Sequence, residues 1–473
     1  MNKKEKIVIL GAGVGGLSAG YFLANTGKYE VVVLEKAQTV GGMSGSFNHA
    51  GFVLDYGPHK IYSIIPGIME EIAALMGGQL LKIPKKNRIF LRGHLLDYPL
   101  RIGNLAKALG IKTFLELGIG YALTFLRGFF ARTPAFSYEE YIIKKFGSAT
   151  YKLVFEPLAD KVWGEPVTLH PDMASCRIPA SSGLDVILKL LGFKKESAET
   201  SAPFFYYPRK GFQDFPETLK EKIEEKEGRV VVNVDLTGVE SAGNKINAVL
   251  AAVNGRPHCF PCDYLISSIP LSALGHLIFS NSNEEFNRAV KNLQFRHLIL
   301  VYLFINKPLI LSEQWIFFPE KEFIFSRISE QKQMNFDLGP PDKTAICADF
   351  TCAEDSWQWQ ANDTVLIEKC VEGLIRAGLV QSENIIDHRV GRFRDFYPRY
   401  DLEYKEKIDR VCQPLQQFSN LFLTGRLGMY NYNNTDHCFD MGKFIAEGLA
   451  MNKDIQQIRQ ELLKRVANYK IVD

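Results

Sequence analysis

The residues from Lys6 to Glu35 limit what this chain can fold into more than any other part of it. They read Ile7-Val8-Ile9-Leu10, then Gly11-Ala12-Gly13-Val14-Gly15-Gly16, then Leu17 to Thr26, then Val31-Val32-Val33-Leu34 and the acid Glu35. The order is a buried strand, a glycine turn, a helix, a second buried strand and an acid at its end. Gly11 permits a tight turn, Gly13 lets a pyrophosphate approach the backbone, and Gly16 allows close packing of helix on strand. The helix opening at Val14 and Gly15 points free N–H groups and its positive dipole end at such an anion. Glu35 is spaced to accept hydrogen bonds from a ribose diol. A lone G-x-G-x-x-G carries little weight, but with every flanking element present it predicts a dinucleotide-binding unit.

After Glu35 come Lys36-Ala37-Gln38-Thr39-Val40-Gly41-Gly42-Met43-Ser44-Gly45-Ser46. A second Gly-Gly turn is not needed to hold NAD, whereas with Ser44 it brings further backbone N–H groups to an extended pyrophosphate. The run resembles the extended FAD fingerprint of the amine oxidase, protoporphyrinogen oxidase and UDP-galactopyranose mutase group of flavoproteins. FAD is therefore the expected cofactor. No second G-x-G-x-x-G is present for a nicotinamide nucleotide, which leaves an external reductant open.

A chain of 473 residues is too long for one ordinary core, and two joined domains are expected. With 56 basic and 53 acidic residues the net charge is +3, too small to imply nucleic acid as a partner. Of eight scattered cysteines only Cys259 and Cys262 have metal-like spacing, with no second pair nearby, so no metal centre is expected. A reducing cytoplasm suits them better than a disulfide framework. The first strand starts at about residue 6, so no signal peptide is read. The most apolar run, Phe114 to Ala131, is broken by Glu116 and Arg127, and its uninterrupted part is too short to span a bilayer. A buried helix is expected there. The alternative is a face docked peripherally at the inner membrane through Leu126, Phe129 and Phe130 beside Arg127.

The pattern along the chain gives an α/β fold: a Rossmann-like FAD-binding domain from residues 1–97, 207–275 and 405–473, with an inserted α+β substrate domain from 98–206 and 276–404. A strand ending in Gly57-Pro58-His59, a helix over Ile68–Met76 and a hairpin over Arg88–Asp97 follow the nucleotide unit. Val230–Val234 and Ile246–Ala251 read as a strand pair after a helix over Pro216–Glu227. Apolar stretches between Asn292 and Ala348 predict a sheet forming one wall of the substrate cavity. Near the end, Leu421-Phe422-Leu423 is a buried strand meeting Gly425, followed by a loop and an amphipathic helix over Asp440–Asn452.

Separated motifs in chain order resemble the UDP-galactopyranose mutases and their relatives over nearly the whole length. They are Gly57-Pro58-His59, Tyr98-Pro99-Leu100, Lys161-Val162-Trp163-Gly164, Phe325-Ser326-Arg327-Ile328-Ser329-Glu330, Phe396-Tyr397-Pro398 and Gly425-Arg426-Leu427-Gly428-Met429-Tyr430-Asn431-Tyr432. The resemblance implies a flavin held by Gly11, Gly13, Val14, Gly15, Gly16, Glu35, Lys36, Gly42, Met43, Ser44, His59, Val234, Gly425, Arg426, Asn434 and Asp436. It implies a substrate met by Tyr98, Trp163, Arg327, Tyr397, Tyr430 and Tyr432, with His59, Arg327 and Tyr430 at the reacting centre. The mutases pair two arginines on the diphosphate, and Arg177 is the nearest candidate for the second. Leu158, Tyr62 and Asn434 stand where the mutases carry tyrosine, histidine and aspartate. The segment Tyr206-Tyr207-Pro208-Arg209-Lys210-Gly211 is similar instead to mutase-like relatives encoded with surface-polysaccharide genes.

The residue types suit such chemistry, each beside a plainer reading. Arg327 offers a planar fork to phosphate, or is an ordinary sheet arginine. Trp163 stacks on a nucleobase, or fills a core. Tyr430 and Tyr432 alternate, so an extended loop would turn both to one side to bracket a sugar or phosphate; core packing is the other reading. His59 bonds near the flavin or satisfies a turn. The resemblance implies a small-molecule substrate, a nucleotide sugar or surface-glycan precursor, attacked by reduced flavin as diphosphate leaves. Its rivals are an oxidase acting on a lipophilic substrate at a membrane, and a flavin-bound protein without turnover.

Overall fold

The computed structural model describes residues 4–97, 109–110, 118–120, 134–177, 202–279 and 282–472. Tyr98 and, apart from residues 118–120, the run Phe114–Ala131 lie outside the described residues.

Five parallel strands form the central sheet, in the order Leu421–Leu423, Tyr264–Ser267, Glu5–Leu10, Tyr29–Leu34, Arg229–Val231. Parallel sheets are covered on both faces, which is why their strands read as unbroken apolar runs. Ile7, Ile9, Val31 and Val33 share a core with the helices Val14–Asn25, Asp214–Glu224 and Thr435–Ala450. Val8, Leu10, Val32 and Leu34 share another with an antiparallel sheet of Val234–Ala242, Lys245–Val253 and Arg256–Pro261. The helices Val14–Asn25 and Thr435–Ala450 approach closely, because a Cβ on Gly442 would lie 2.5 Å from Ala19 N.

The second sheet has seven strands, in the order Ile385–Pro398, Phe295–Ile305, Thr344–Cys352, Arg327–Glu330, Trp315–Phe317, Asn87–Leu91, His94–Asp97. Ile299, Val301 and Leu303 face a core shared with the helix Asp363–Arg376. Leu298, Leu300 and Tyr302 face Phe52 and Leu54 of the strand Phe52–Asp55. Tyr302 Oη donates to Asp55 O at 2.5 Å, so the chain leading into Gly57-Pro58-His59 is fastened to this sheet.

Three sequence expectations differ from the observed arrangement. Val230–Val234 and Ile246–Ala251 are not one hairpin: Arg229–Val231 joins the parallel sheet, and the chain turns at Asn233 (φ +56°) before Val234–Ala242 pairs with Lys245–Val253. The hairpin Asn87–Asp97, placed by the boundary at residue 97 with the nucleotide part, is bonded into the seven-stranded sheet through Trp315–Phe317. The C-terminal helix begins at Thr435 rather than Asp440, because Asn434 and His437 form a reciprocal cap at its start.

Candidate active site

The glycine turn has the form its sequence demands. Gly11 is at φ +90° and its N–H donates to Leu34 O at 2.8 Å. A Cβ on Gly16 would come within 2.0 Å of Gly11 O, so only glycine lets the helix sit on the turn. A Cβ on Gly13 would meet nothing within 4 Å. Gly41 N donates to Ala12 O at 2.8 Å, and a Cβ on Gly42 would be 3.5 Å from Gly13 Cα, so the second glycine turn lies on the first. Met43 and the buried Ser44 continue that turn. Glu35 accepts from Ala12 N at 2.7 Å and Ala37 N at 2.9 Å, and its carboxylate retains further acceptor positions. Lys36 is exposed, and Val234 N donates to Glu35 O at 2.9 Å.

The far end of the chain closes this cradle. A Cβ on Gly15 would lie 3.0 Å from Gly425 Cα, and Arg426 Nη1 is 3.6 Å from Met43 Sδ. Arg426 also donates through Nε and Nη2 to Asn433 O, at 3.1 and 2.5 Å. Around this junction Thr424 Oγ1, Asn433 Nδ2, Asp436 Oδ1 and His59 Nδ1 are buried with no protein partner. Open backbone space at Gly13 and buried polar atoms awaiting partners fit an extended dinucleotide.

His59 is half-buried, with its ring stacked on Phe212 at 4.7 Å. Burial, aided by the guanidiniums of Arg426 and Arg327, pushes its imidazole down to about 3, so it stays neutral. Arg327 Nε donates to the buried Asp349 Oδ2 at 2.7 Å, which fixes the plane of its fork.

Beyond these groups runs a stack of rings and guanidiniums. Tyr397 and Tyr432 are stacked, with centroids 5.2 Å apart and planes 14° from parallel. Arg426 lies over Tyr397 at 5.2 Å. Arg177 lies over Tyr432 at 4.7 Å and over Trp163 at 5.0 Å. Trp163 meets Tyr432 edge-on at 6.5 Å. Tyr430 departs from this group. It is at φ +47°, its ring meets Phe295, and its hydroxyl lies 2.5 Å from Gln294 O and 2.9 Å from Arg399 O. The two tyrosines expected on one side thus have different neighbours, since a left-handed residue breaks the alternation of an extended chain.

Sequence reasoning did not find the supports. Lys161 Nζ donates to Phe318 O at 2.8 Å and Phe325 O at 3.0 Å, and burial pushes its ammonium down to about 7. Arg399 Nε donates to Trp163 O at 2.8 Å, and Gly164 leaves the helix at φ +85°. The Lys-x-Trp-Gly motif is thereby locked to the sheet. Behind His59, Asp55 accepts from Tyr207 Oη at 2.5 Å, Ser46 Oγ at 2.6 Å and Phe212 N at 3.1 Å. Tyr207 and Gly211 of the Tyr-Tyr-Pro-Arg-x-Gly segment are therefore parts of this buried network, a Cβ on Gly211 falling 2.8 Å from Val53 Cγ1.

A Rossmann-like nucleotide cradle closed by its own C-terminal strand and helix, and set against a second sheet, defines the FAD-dependent oxidoreductase class. Comparison with known proteins agrees. The chain belongs to the flavin containing amine oxidoreductase family, whose model matches residues 14–435. It is a FAD-dependent enzyme. Among solved structures it is similar to reduced UDP-galactopyranose mutase, with TM-score 0.80, 19% identity and coverage of 99% of this chain and 98% of that one. It is also similar to a provisionally assigned protoporphyrinogen oxidase from Exiguobacterium sp. 255-15, with TM-score 0.71, 16% identity and coverage of 95% and 100%. By sequence it is 34% identical over 79 residues to a phytoene desaturase of Cercospora nicotianae, 17% of this chain and only 12% of the desaturase. Among the described residues no helix is long and apolar enough to cross a membrane.

Proposed function

We propose that this enzyme acts by flavin chemistry on a nucleotide sugar or a related glycan precursor. The observation that carries the reading is Arg177 set against both Trp163 and Tyr432, with Tyr397 stacked on Tyr432, Arg426 over Tyr397, and the Asp349-aligned Arg327 near enough to act on Tyr397 electrostatically. Rings in register suit a base and a sugar face. Guanidiniums suit a diphosphate, which they grip as planar forks. On this reading the nucleotide part of the chain holds FAD through Gly11, Gly13, Gly42, Ser44, Arg426 and Asp436, and the seven-stranded sheet carries the substrate side.

When bound, the flavin supplies the electron-rich, redox-active ring on which the chemistry depends. The chain's own groups position and stabilise. Arg327, with its plane fixed by Asp349, and Arg177 stabilise charge as it builds on a leaving diphosphate. Tyr397 and Tyr432, stacked on each other, keep water from one side of the site. His59, held neutral, adds no positive charge of its own beside the flavin.

The test is titration of the FAD-loaded protein with UDP and UDP-galactose, followed by flavin absorbance, with porphyrinogens and amines in the same screen. Arg327→Ala is expected to weaken UDP by about 1.5–3 kcal/mol, as for a charged hydrogen bond. Unchanged affinity in that variant removes the diphosphate assignment. A response confined to a hydrophobic donor, with oxygen uptake, transfers the protein to the oxidase reading.

A further inference from the structure

The segment Tyr469–Val472, beyond the helix Ile455–Ala467, returns to the site from the back. Three attachments fix it. Tyr469 Oη donates to Asp440 Oδ2 at 2.5 Å, and its ring lies on that of His437 with centroids 4.4 Å apart and planes 4° from parallel. Ile471 N donates to Cys176 O at 2.8 Å, in the peptide directly before Arg177. Lys60 Nζ donates to Val472 O at 2.8 Å, one residue after His59. Ile471 is 3% exposed and shares an apolar cluster with Trp163 and Tyr432.

Arg177 follows a helix of only four residues, Asp172–Ser175. One helical turn has almost no stability of its own, and the carbonyls at its end have no partner within the helix. Its position must therefore come from outside. Tyr404 Oη and Lys405 Nζ hold its start at Asp172, at 2.7 and 2.8 Å, and Ile471 holds its end by capping Cys176 O and by filling apolar space in the cluster with the rings. Lys60 anchors the same segment to the turn that carries His59. The segment is buried at Tyr469, Ile471 and Val472.

We propose that Tyr469–Val472 is a strap that positions Arg177, fastening the Cys176 peptide to the His59–Lys60 turn so that the guanidinium stays against both Trp163 and Tyr432. Detachment of the strap releases Arg177 and lets ligand leave. The role in ligand retention rests on the nucleotide reading above; the mechanical role does not.

The experiment uses the FAD-loaded full chain with Ile471→Pro, which lacks the donor to Cys176, and with the double variant Lys60→Met/Tyr469→Phe, which keeps that donor and removes both anchors. Hydrogen exchange is followed over the peptide containing Asp172–Arg177, and UDP dissociation is followed by flavin absorbance. At least tenfold faster exchange over 172–177, with the flavin spectrum unchanged and UDP released faster, is expected in both. If Ile471→Pro does not fold, the double variant decides alone. Unchanged exchange overturns the strap whatever UDP does. Faster exchange with no UDP binding even to the unaltered protein supports the strap and removes the nucleotide reading. Faster exchange with unaltered UDP kinetics, where the unaltered protein binds UDP, overturns the part in ligand retention.

Discussion

Tyr430 looks chemical in the sequence and structural in the fold, and Tyr430→Phe separates the two. The residue is 2% exposed. Burial pushes its hydroxyl well above the ordinary tyrosine range, so it remains protonated at any working pH. Its one proton goes to Gln294 O at 2.5 Å or Arg399 O at 2.9 Å, while it accepts from Gln294 N at 3.1 Å. Phenylalanine keeps the ring and removes two bonds at a time, each contributing about 0.5–1.5 kcal/mol. The sum is about 1–3 kcal/mol. At about 2 °C per kcal/mol for a large domain, the melting temperature of the FAD-loaded protein should fall by about 2–6 °C. UDP affinity should change little, since Tyr432 has its own tether, its N–H donating to Tyr400 Oη at 2.6 Å. An unchanged melting temperature refutes the structural role; unchanged stability with lost turnover of UDP-galactose returns Tyr430 to the chemistry.

The remaining expectations concern the cradle, the buried acid and the arginine fork. Gly13→Val puts a side chain into space the protein leaves open, at a residue with φ −73°; the variant should fold, by circular dichroism, yet lack flavin absorbance, and FAD retained at full occupancy would show the space serves something else. Asp55 is raised to about 6 by burial, against lowering by bonds from Ser46, Tyr207, Phe212 and Gln331. Because the folded value exceeds the unfolded one, its contribution to stability is complete below about pH 3.8 and is lost as pH rises through 6. Wild type should therefore lose about 2 kcal/mol relative to Asp55→Asn between pH 4 and pH 7 in urea unfolding; a constant difference contradicts the shift. Asp349→Asn frees the plane of Arg327 and should weaken UDP about tenfold by calorimetry, a charged hydrogen bond being of that size; equal affinity would mean the fork needs no aligning acid.

What could be read from the sequence was what neighbouring residues decide. Gly11, Gly13 and Gly16 act on a turn made by the same ten residues, so spacing alone gave the positive φ, the open face and the tight helix seat later found. The apolar run Leu421–Leu423 likewise announced a buried strand, which the fold pairs parallel with Tyr264–Ser267. The hairpin Asn87–Asp97 was visible as a hairpin, but its sheet was not, because its outer partner Trp315–Phe317 lies more than two hundred residues on. Arg177 belonged to no motif: only the fold carries it to Trp163 and Tyr432, and the strap beside it is joined to Cys176 by a backbone bond that has no residue signature.

The two tyrosines show where pattern reading gives out. Residues two apart share a side only while the chain stays extended. That condition fails at Tyr430 because its hydroxyl is drawn to Gln294 and Arg399, which are themselves joined by Arg399 N donating to Gln294 O at 2.8 Å. Those residues stand at the junction of Phe295–Ile305 with Ile385–Pro398, a pairing between strands some ninety positions apart. A long-range sheet contact thus sets one φ angle, and that angle decides which tyrosine joins Tyr397 and Arg177 in the stack.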